Sequence, residues 1–236
     1  MGEQVRTGTV DLWVERRGQG PEVLIIAGLG DPVEAWQFQL EGLADRYRLA
    51  AYDNRGVGRT PMPQEPLTVA AVADDAAALL GALGVPAAHV VGQSTGGVIA
   101  QELVLRHPEV VRSLVLVSTW ARLDAYFRST LKLWRWLVEA APSERAFLEA
   151  FADHETADRM AAIAAPTLVL AGGLDRPATP QFGRELAEGI PGARFHLLPE
   201  EGHRPFVEAP EEFNALLDAF WREVETSPRP EAGRGG

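Results

Sequence analysis

A lone serine stands between glycines in the segment "HVVGQSTGGVIAQ", where an apolar run gives way to a helical pattern. Ser94 in this setting either caps the helix or is a nucleophile exposed on a tight turn. A serine hydroxyl reacts poorly near neutral pH, so it needs a neighbouring base, and that base needs a carboxylate to fix its tautomer. A nucleophilic role for Ser94 therefore requires a histidine and a carboxylate at matching places in the fold.

Two further residues meet that requirement. Asp175 follows the apolar run "PTLVLAGGL", and His203 follows "RFHLLPEEG". Because α/β sheets bind ligands at the carboxyl ends of their strands, Ser94, Asp175 and His203 are predicted to meet at one edge. Their chain order is the one found in Ser–Asp–His enzymes of this architecture. Asp124 is a rival for the acid, although its neighbours have the spacing of a helix whose first turn favours an acidic residue.

The chemistry of such a triad also needs two donors for the negative charge that develops on the reacting oxygen. One predicted donor is the backbone N–H of Thr95, at the start of a helix whose dipole favours that charge. The other is the N–H of Leu29 in "AGLGDP", where Gly28 and Gly30 let the chain turn inward. The same segment lacks the Gly-Lys-Ser/Thr ending of a phosphate-binding loop.

Alternating strands and helices must position these residues. Continuous apolar runs such as "EVLIIAG" (22–28) alternate with helical patterns such as "TVAAVADDAAALLGALG" (68–84), for which Thr68 is the predicted cap. This alternation predicts an α/β fold with a mostly parallel central sheet of about eight strands flanked by helices. In the loop "YDNRGVGRT", Asp53 is predicted to hydrogen-bond its own loop, with Arg55 holding it by charge-assisted bonds.

One segment breaks the alternation. Residues 120–164 contain three helix-like pieces and no strand candidate, which predicts a short helical cap over the strand ends. Trp120 and Trp134 in this segment are candidate substrate contacts. The predicted division is a core of 1–119 and 165–225, a cap of 120–164, and a disordered Pro- and Gly-rich tail of 226–236.

Composition excludes several classes of function. The 236-residue chain has a formal net charge of −11 and no cysteine. The acidity disfavours nucleic acids and anionic membranes as partners, and the lack of cysteine excludes disulfides and thiol nucleophiles. Histidines and carboxylates lack metal-ligand spacing, so neither a metal nor a cofactor is expected. Without a signal-like or membrane-spanning apolar run, the expected location is the cytoplasm.

Together these motifs resemble the α/β-hydrolase superfamily over nearly the whole chain. The resemblance rests on "VLIIAGLGDPVEAW", "YDNRGVGRT", "GQSTGG", "PTLVLAGGLDRPATP" and "EEGHRPFVEAPEEF". The nearest branch is that of esterases and enol-lactonases, which includes 3-oxoadipate enol-lactonase. The chain departs from its relatives in having Ala27 where histidine is frequent, Thr95 where methionine is frequent, and a shorter cap.

The resemblance implies a serine hydrolase that cleaves a small carboxylic ester or lactone through an acyl-enzyme. Two alternatives stay open. The same triad could hydrolyse a carbon–carbon bond or act as a cofactor-free perhydrolase. The second alternative is a non-catalytic protein that binds a ligand on the same scaffold, and an intact triad argues against it.

Overall fold

A single sheet of eight strands forms the centre of the computed structural model, which describes residues 2–139 and 141–227. The strands are β1 (Gly2–Arg6), β2 (Asp11–Gly18), β3 (Glu22–Ile26), β4 (Arg48–Tyr52), β5 (Ala88–Gln93), β6 (Val111–Val117), β7 (Thr167–Gly172) and β8 (Arg194–Leu198). Their order across the sheet is β1-β2-β4-β3-β5-β6-β7-β8. β2 is antiparallel to both of its neighbours and every other pair is parallel. The predicted mostly parallel sheet is confirmed.

Helices cover both faces of this sheet. They are α1 (Gln37–Gly42), α2 (Val69–Ala82), α3 (Thr95–Arg106), α4 (Ala125–Leu137), α5 (Pro142–Phe151), α6 (Pro180–Gly189), α7 (Pro205–Glu208) and α8 (Pro210–Thr226). Short 3-10 turns lie at Val33–Trp36, Pro108–Val110 and Ala157–Ala162. Thr68 caps α2 as predicted, because its side chain accepts a hydrogen bond of 3.1 Å from the Ala71 N–H.

Alternation along the buried strands divides the core into two layers. In β3, Leu24 and Ile26 pack into the layer shared with α2, α3 and α6, whereas Val23 and Ile25 pack into the layer shared with α1 and α8. Apolar residues on both faces explain why the inner strands appear in the sequence as continuous hydrophobic runs. Helices on both faces leave the carboxyl ends of the parallel strands as the natural place for a site.

The segment between β6 and β7 folds as three helical pieces, α4, α5 and the turn at Ala157–Ala162, and its described residues include no strand. Phe127 of α4 and Phe151 of α5 are buried in the same layer as α3. Gln101 of α3 fastens both ends of the segment, since it donates to the Trp120 carbonyl at 3.0 Å and accepts from the Thr156 hydroxyl at 2.5 Å. The helical content of this segment is as predicted.

Three helices differ from the sequence prediction or escape it. α8 extends to Thr226, so the first residue of the predicted disordered tail is helical, and residues 228–236 lie outside the described part of the chain. α1 and α7 were not predicted, because helices of six and four residues are too short for hydrophobic periodicity to be visible.

Within residues 2–139 and 141–227, none of the helices combines the length and apolar character needed to cross a bilayer.

Candidate active site

Ser94 is the single residue between β5 and α3, and its backbone is strained. Its dihedral angles are φ 55° and ψ −121°, a conformation that residues with side chains rarely adopt. The Ser94 N–H donates to the Val117 carbonyl at 2.9 Å, and the Ser94 carbonyl accepts from the Thr119 hydroxyl at 2.7 Å. Anchors at the end of β6 therefore hold the strained turn in place.

The glycines around Ser94 are required by close backbone approach. A Cβ atom on Gly92 would collide with the Gly96 carbonyl, and one on Gly96 would collide with carbonyl oxygens at and just beyond the end of β3. Neither glycine has a positive φ, so space and not backbone conformation is the reason for glycine here. The Gly-x-Ser-x-Gly pattern thus lets a strand, a turn and a helix meet without intervening side chains.

The structure brings the three predicted reactive side chains together. His203 Nε2 lies 3.1 Å from Ser94 Oγ, and His203 Nδ1 lies 2.8 Å from Asp175 Oδ2. The Asp175 side chain is fully buried, whereas 26% of the His203 side chain is exposed. The other carboxylate oxygen of Asp175 accepts a bond of 2.9 Å from the Ala178 N–H. Such a chain of hydrogen bonds can move a proton from the serine to the imidazole.

The rival acid is placed elsewhere. Asp124 is the N-cap of α4, where its Oδ1 accepts a hydrogen bond of 2.7 Å from the Phe127 N–H. This contact satisfies a donor that the first helical turn leaves free, which is the ordinary structural use of an aspartate at that position. His203 is paired with Asp175 and not with Asp124.

The predicted oxyanion donors lie on either side of the nucleophile. A Cβ atom built on Gly28 would be 3.3 Å from Ser94 Cβ, so the loop that carries Leu29 passes directly against the serine. Gly30 turns that loop at φ +69°. Thr95 is the first residue of α3. In the described part of the chain, neither the Leu29 nor the Thr95 N–H donates a hydrogen bond, which leaves both free for a ligand.

An acid–base pair joins this loop to the residue after His203. Arg204 Nη2 lies 3.2 Å from Asp31 Oδ1. Burial raises the pKa of the Asp31 carboxyl, and the positive charges of Arg204 and His203 act in the opposite direction. The Asp31–Arg204 pair therefore links the predicted oxyanion loop to the histidine loop across the mouth of the site.

The two tryptophans proposed as substrate contacts belong to an aromatic cluster. Trp120 is only 2% exposed and its ring meets that of Phe127 edge-on, with centroids 4.6 Å apart. Trp134 is partly buried and packs on the other side of Phe127 at 5.9 Å. Substrate contact stays a prediction for both. α5 contacts the loop that carries Leu29, since a Cβ atom on Gly30 would lie 3.6 Å from Glu144 Cγ.

Arg55 makes the charge-assisted bonds that were predicted, but its partner is not Asp53. Asp53 accepts from the Val33 N–H at 2.8 Å and from the Arg59 N–H of its own loop at 2.9 Å. Arg55 instead makes two bonds of 2.6 and 2.7 Å to Asp75 of α2. Asp75 is almost completely buried, and a buried carboxylate needs a paired charge. The acid in the apolar pattern "AVADDAAALL" is the signal that could have identified this partner.

A strained serine linked to histidine and aspartate at the carboxyl edge of this sheet defines the architecture of an α/β hydrolase. One family model, described as alpha/beta hydrolase fold, matches residues 21–146. A second, described as alpha/beta hydrolase family, matches residues 120–216. The chain belongs to the α/β-hydrolase superfamily, and it is an enzyme of that type. No cluster of three or more potential metal ligands occurs in the described part of the chain.

Individual relatives cover nearly the whole chain. The "Putative carbamate hydrolase RutD" of Azorhizobium caulinodans is 31% identical over 92% of this chain and 97% of that protein. The "Putative non-heme bromoperoxidase BpoC" of Mycobacterium tuberculosis is 30% identical over 91% of this chain and 99% of that protein. A thermophilic esterase from Thermogutta terrifontis superposes with a TM-score of 0.84 at 25% identity, covering 96% of this chain and 100% of the esterase.

Proposed function

We propose that this protein is a serine hydrolase that cleaves a small carboxylic ester or lactone through an acyl-enzyme intermediate. The main support for the proposal is the position of the His203 imidazole, which lies 3.1 Å from Ser94 Oγ on one side and 2.8 Å from Asp175 on the other. The first separation is within the range for proton transfer from the serine, and the second is that of a hydrogen bond that can orient the imidazole. The structural likeness to an esterase supports the same chemistry.

In the first half of the reaction, His203 Nε2 takes the proton of Ser94 as its Oγ attacks the carbonyl carbon. The carbonyl π electrons move to oxygen, and the N–H groups of Leu29 and Thr95 stabilise the resulting oxyanion; one such donor is worth about 10²–10³ in rate. The intermediate collapses by breaking the bond to the alkoxide, which receives the proton held by His203. An acyl-serine and a free alcohol result, or a single ring-opened acyl-enzyme when the substrate is a lactone.

In the second half, His203 removes a proton from water, whose oxygen attacks the acyl carbon. The bond from that carbon to Ser94 Oγ then breaks, Oγ receives the proton held by His203, and the carboxylic acid leaves. Asp175 accepts the hydrogen bond from His203 Nδ1 and stabilises the imidazolium. Its complete burial and its second bond to the Ala178 N–H fix its direction, so the imidazole is held in the tautomer that presents Nε2 to the serine.

A second candidate is hydrolysis of a carbamate, favoured by the relative from Azorhizobium caulinodans. The step differs only in the acyl group, which carries nitrogen in place of carbon. The bromoperoxidase relative likewise favours perhydrolase activity, in which hydrogen peroxide replaces water in the second half-reaction. All three reactions require the Ser94 acyl-enzyme. The triad is the same in each, so only a comparison of substrates can distinguish them.

A panel of substrates tests the proposal. Short p-nitrophenyl esters, γ- and δ-lactones, an aryl carbamate, and an acid with hydrogen peroxide are compared under equal conditions, with Ser94→Ala as the matched blank. We expect the highest kcat/KM with an ester or a lactone. A higher kcat/KM with the carbamate or with peroxide would replace the proposed substrate class, and equal rates for wild type and Ser94→Ala would reject the serine mechanism.

A further inference from the structure

A carboxylate outside the triad holds the loop that carries His203. This loop connects β8 to α7, and the residues on either side of the histidine both donate their backbone N–H groups to Glu208. The Gly202 N–H bonds Glu208 Oε2, and the Arg204 N–H lies 3.1 Å from Glu208 Oε1. One carboxylate therefore brackets the histidine with both of its oxygens.

The local sequence explains this contact. Arg204 is the N-cap of α7, and Pro205 begins the helix. N–H groups at and before a helix start have no partner inside the helix, so a side chain further along must reach back to them. Glu208, the last residue of α7, does so. Gly202 keeps the approach open, because a Cβ atom there would press against Glu208 Oε1 at 3.2 Å.

Other bonds fix the loop on its buried side. The His203 carbonyl accepts from the Gln93 side chain at 3.0 Å, next to the nucleophile. The Leu174 N–H donates to the Glu201 carbonyl at 2.8 Å, which ties the loop to the turn that carries Asp175. On the more exposed side, the Arg204 side chain is paired with Asp31, and Glu208 holds the backbone N–H groups on either side of the histidine. Without Glu208, these two N–H groups would lose their protein partner, and the loop would have fewer contacts to hold the imidazole at its distances from Ser94 and Asp175.

We propose that Glu208 is a positioning residue that sets the place of His203 between Ser94 and Asp175. The inference rests on the proposed function, because it assigns to Glu208 a role in a reaction that needs this histidine. Displacing a reacting group by about 1 Å costs up to about 100-fold in rate. Loss of the two hydrogen bonds to Glu208 should therefore lower kcat by about 10- to 100-fold and leave KM nearly unchanged, since Glu208 is not placed to touch substrate.

The kinetic test compares Glu208→Ala, Glu208→Gln and the control Glu212→Ala. Glu212 is an exposed acid in the first turn of α8 and makes no hydrogen bond to the histidine loop in the described structure. We expect Glu212→Ala to have the kcat of the wild type. Glu208→Gln, which keeps one acceptor oxygen, should have a lower kcat, and Glu208→Ala should have the lowest. Melting temperatures should stay close together, because the two freed N–H groups can bond to water.

A double-mutant comparison separates positioning from general weakening of the fold. Asp175 and Glu208 would both act through His203, so Glu208→Ala should cost much less in the Asp175→Asn background than in wild type. Equal losses in the two backgrounds would overturn the inference, as would wild-type kcat in Glu208→Ala.

A spectroscopic readout keeps this test independent of turnover. In the proton NMR spectrum of the free protein, the His203 Nδ1–H hydrogen-bonded to Asp175 should give a downfield resonance that broadens or disappears in Glu208→Ala and persists in Glu212→Ala. If the wild-type protein cleaves no substrate while this resonance responds as described, the proposed hydrolase function fails and the role of Glu208 stands. An unchanged resonance in Glu208→Ala rejects the role of Glu208.

Discussion

Gly96→Ala is the substitution for which the structure predicts the clearest separation of activity from fold. The added Cβ would lie 2.5 Å from the Ala27 carbonyl oxygen and closer still to that of Ile26, whereas ordinary contacts begin at 3.4 Å. Neither oxygen can swing away, because both belong to the backbone. The start of α3 and the loop that carries Leu29 must therefore separate by roughly 1 Å, which changes the relative positions of Ser94 and both predicted oxyanion donors.

That displacement sets the expected magnitudes. A 1 Å error at the reacting groups corresponds to about 10²-fold in kcat/KM, or about 2.7 kcal/mol of transition-state stabilisation. Overpacking of this kind costs about 1–3 kcal/mol of folding free energy, which lowers Tm by roughly 2–12 °C for a domain of this size. The protein should thus remain folded at 25 °C while most of its activity is lost.

The assay is kcat/KM for a short p-nitrophenyl ester together with Tm from circular dichroism, and Gly81→Ala is the matched control. Gly81 lies in α2, where an added Cβ meets nothing within 4 Å, so alanine should stabilise the helix by about 0.5–1 kcal/mol and leave kcat/KM unchanged. Wild-type kcat/KM in a folded Gly96→Ala protein would contradict this prediction, because it would mean that the close approach at Gly96 does not position the site.

Three further predictions concern the acid, the substrate and the effect of pH. Asp175→Asn should lower kcat by roughly 10⁴ with little change in Tm, whereas Asp124→Asn should cost less than about tenfold; steady-state kinetics of both variants decides, and the reverse ranking would make Asp124 the acid. A cap as short as the one predicted over 120–164 could not enclose a long acyl chain, so kcat/KM should stay flat or fall from acetate to octanoate esters, while a rise of about fourfold per methylene would indicate a deep enclosed pocket. Burial lowers the pKa of His89 to about 4 from its ordinary 6.5. The unfolded state then binds a proton more readily than the folded state, so the free energy of unfolding is highest above pH 6.5 and falls by up to about 3 kcal/mol as the pH is lowered towards 4. Urea titrations should show that loss in wild type and a smaller one in His89→Gln.

Most of the fold could be predicted from local patterns in the sequence. Apolar runs predict the inner strands because their residues are buried on both faces, and the order Ser94, Asp175, His203 follows from the strands after which they stand. The structure places His203 within hydrogen-bonding distance of both Ser94 and Asp175. Short helices such as α1 and α7 escape prediction, since neither is long enough to show a period.

Partnerships between distant charged groups could not be predicted in the same way. Arg55 was expected to hold Asp53, its near neighbour in the chain, but packing of α2 against the sheet brings it to Asp75. That partnership depends on which surfaces meet after the elements have packed, and spacing along the chain does not encode it directly. The contact of Glu208 is local, but it depends on the path of the backbone between β8 and α7, because its partners are backbone N–H groups.

The activation of Ser94 is tested most directly by intact-mass spectrometry after treatment with a fluorophosphonate, which reacts covalently with an activated serine. The central claim is that His203 and Asp175 activate Ser94 for acyl transfer. It predicts one adduct per chain on the wild-type protein, and none on Ser94→Ala with an unchanged circular dichroism spectrum. An absence of adduct on folded wild-type protein, or an adduct that persists in Ser94→Ala, would contradict the claim.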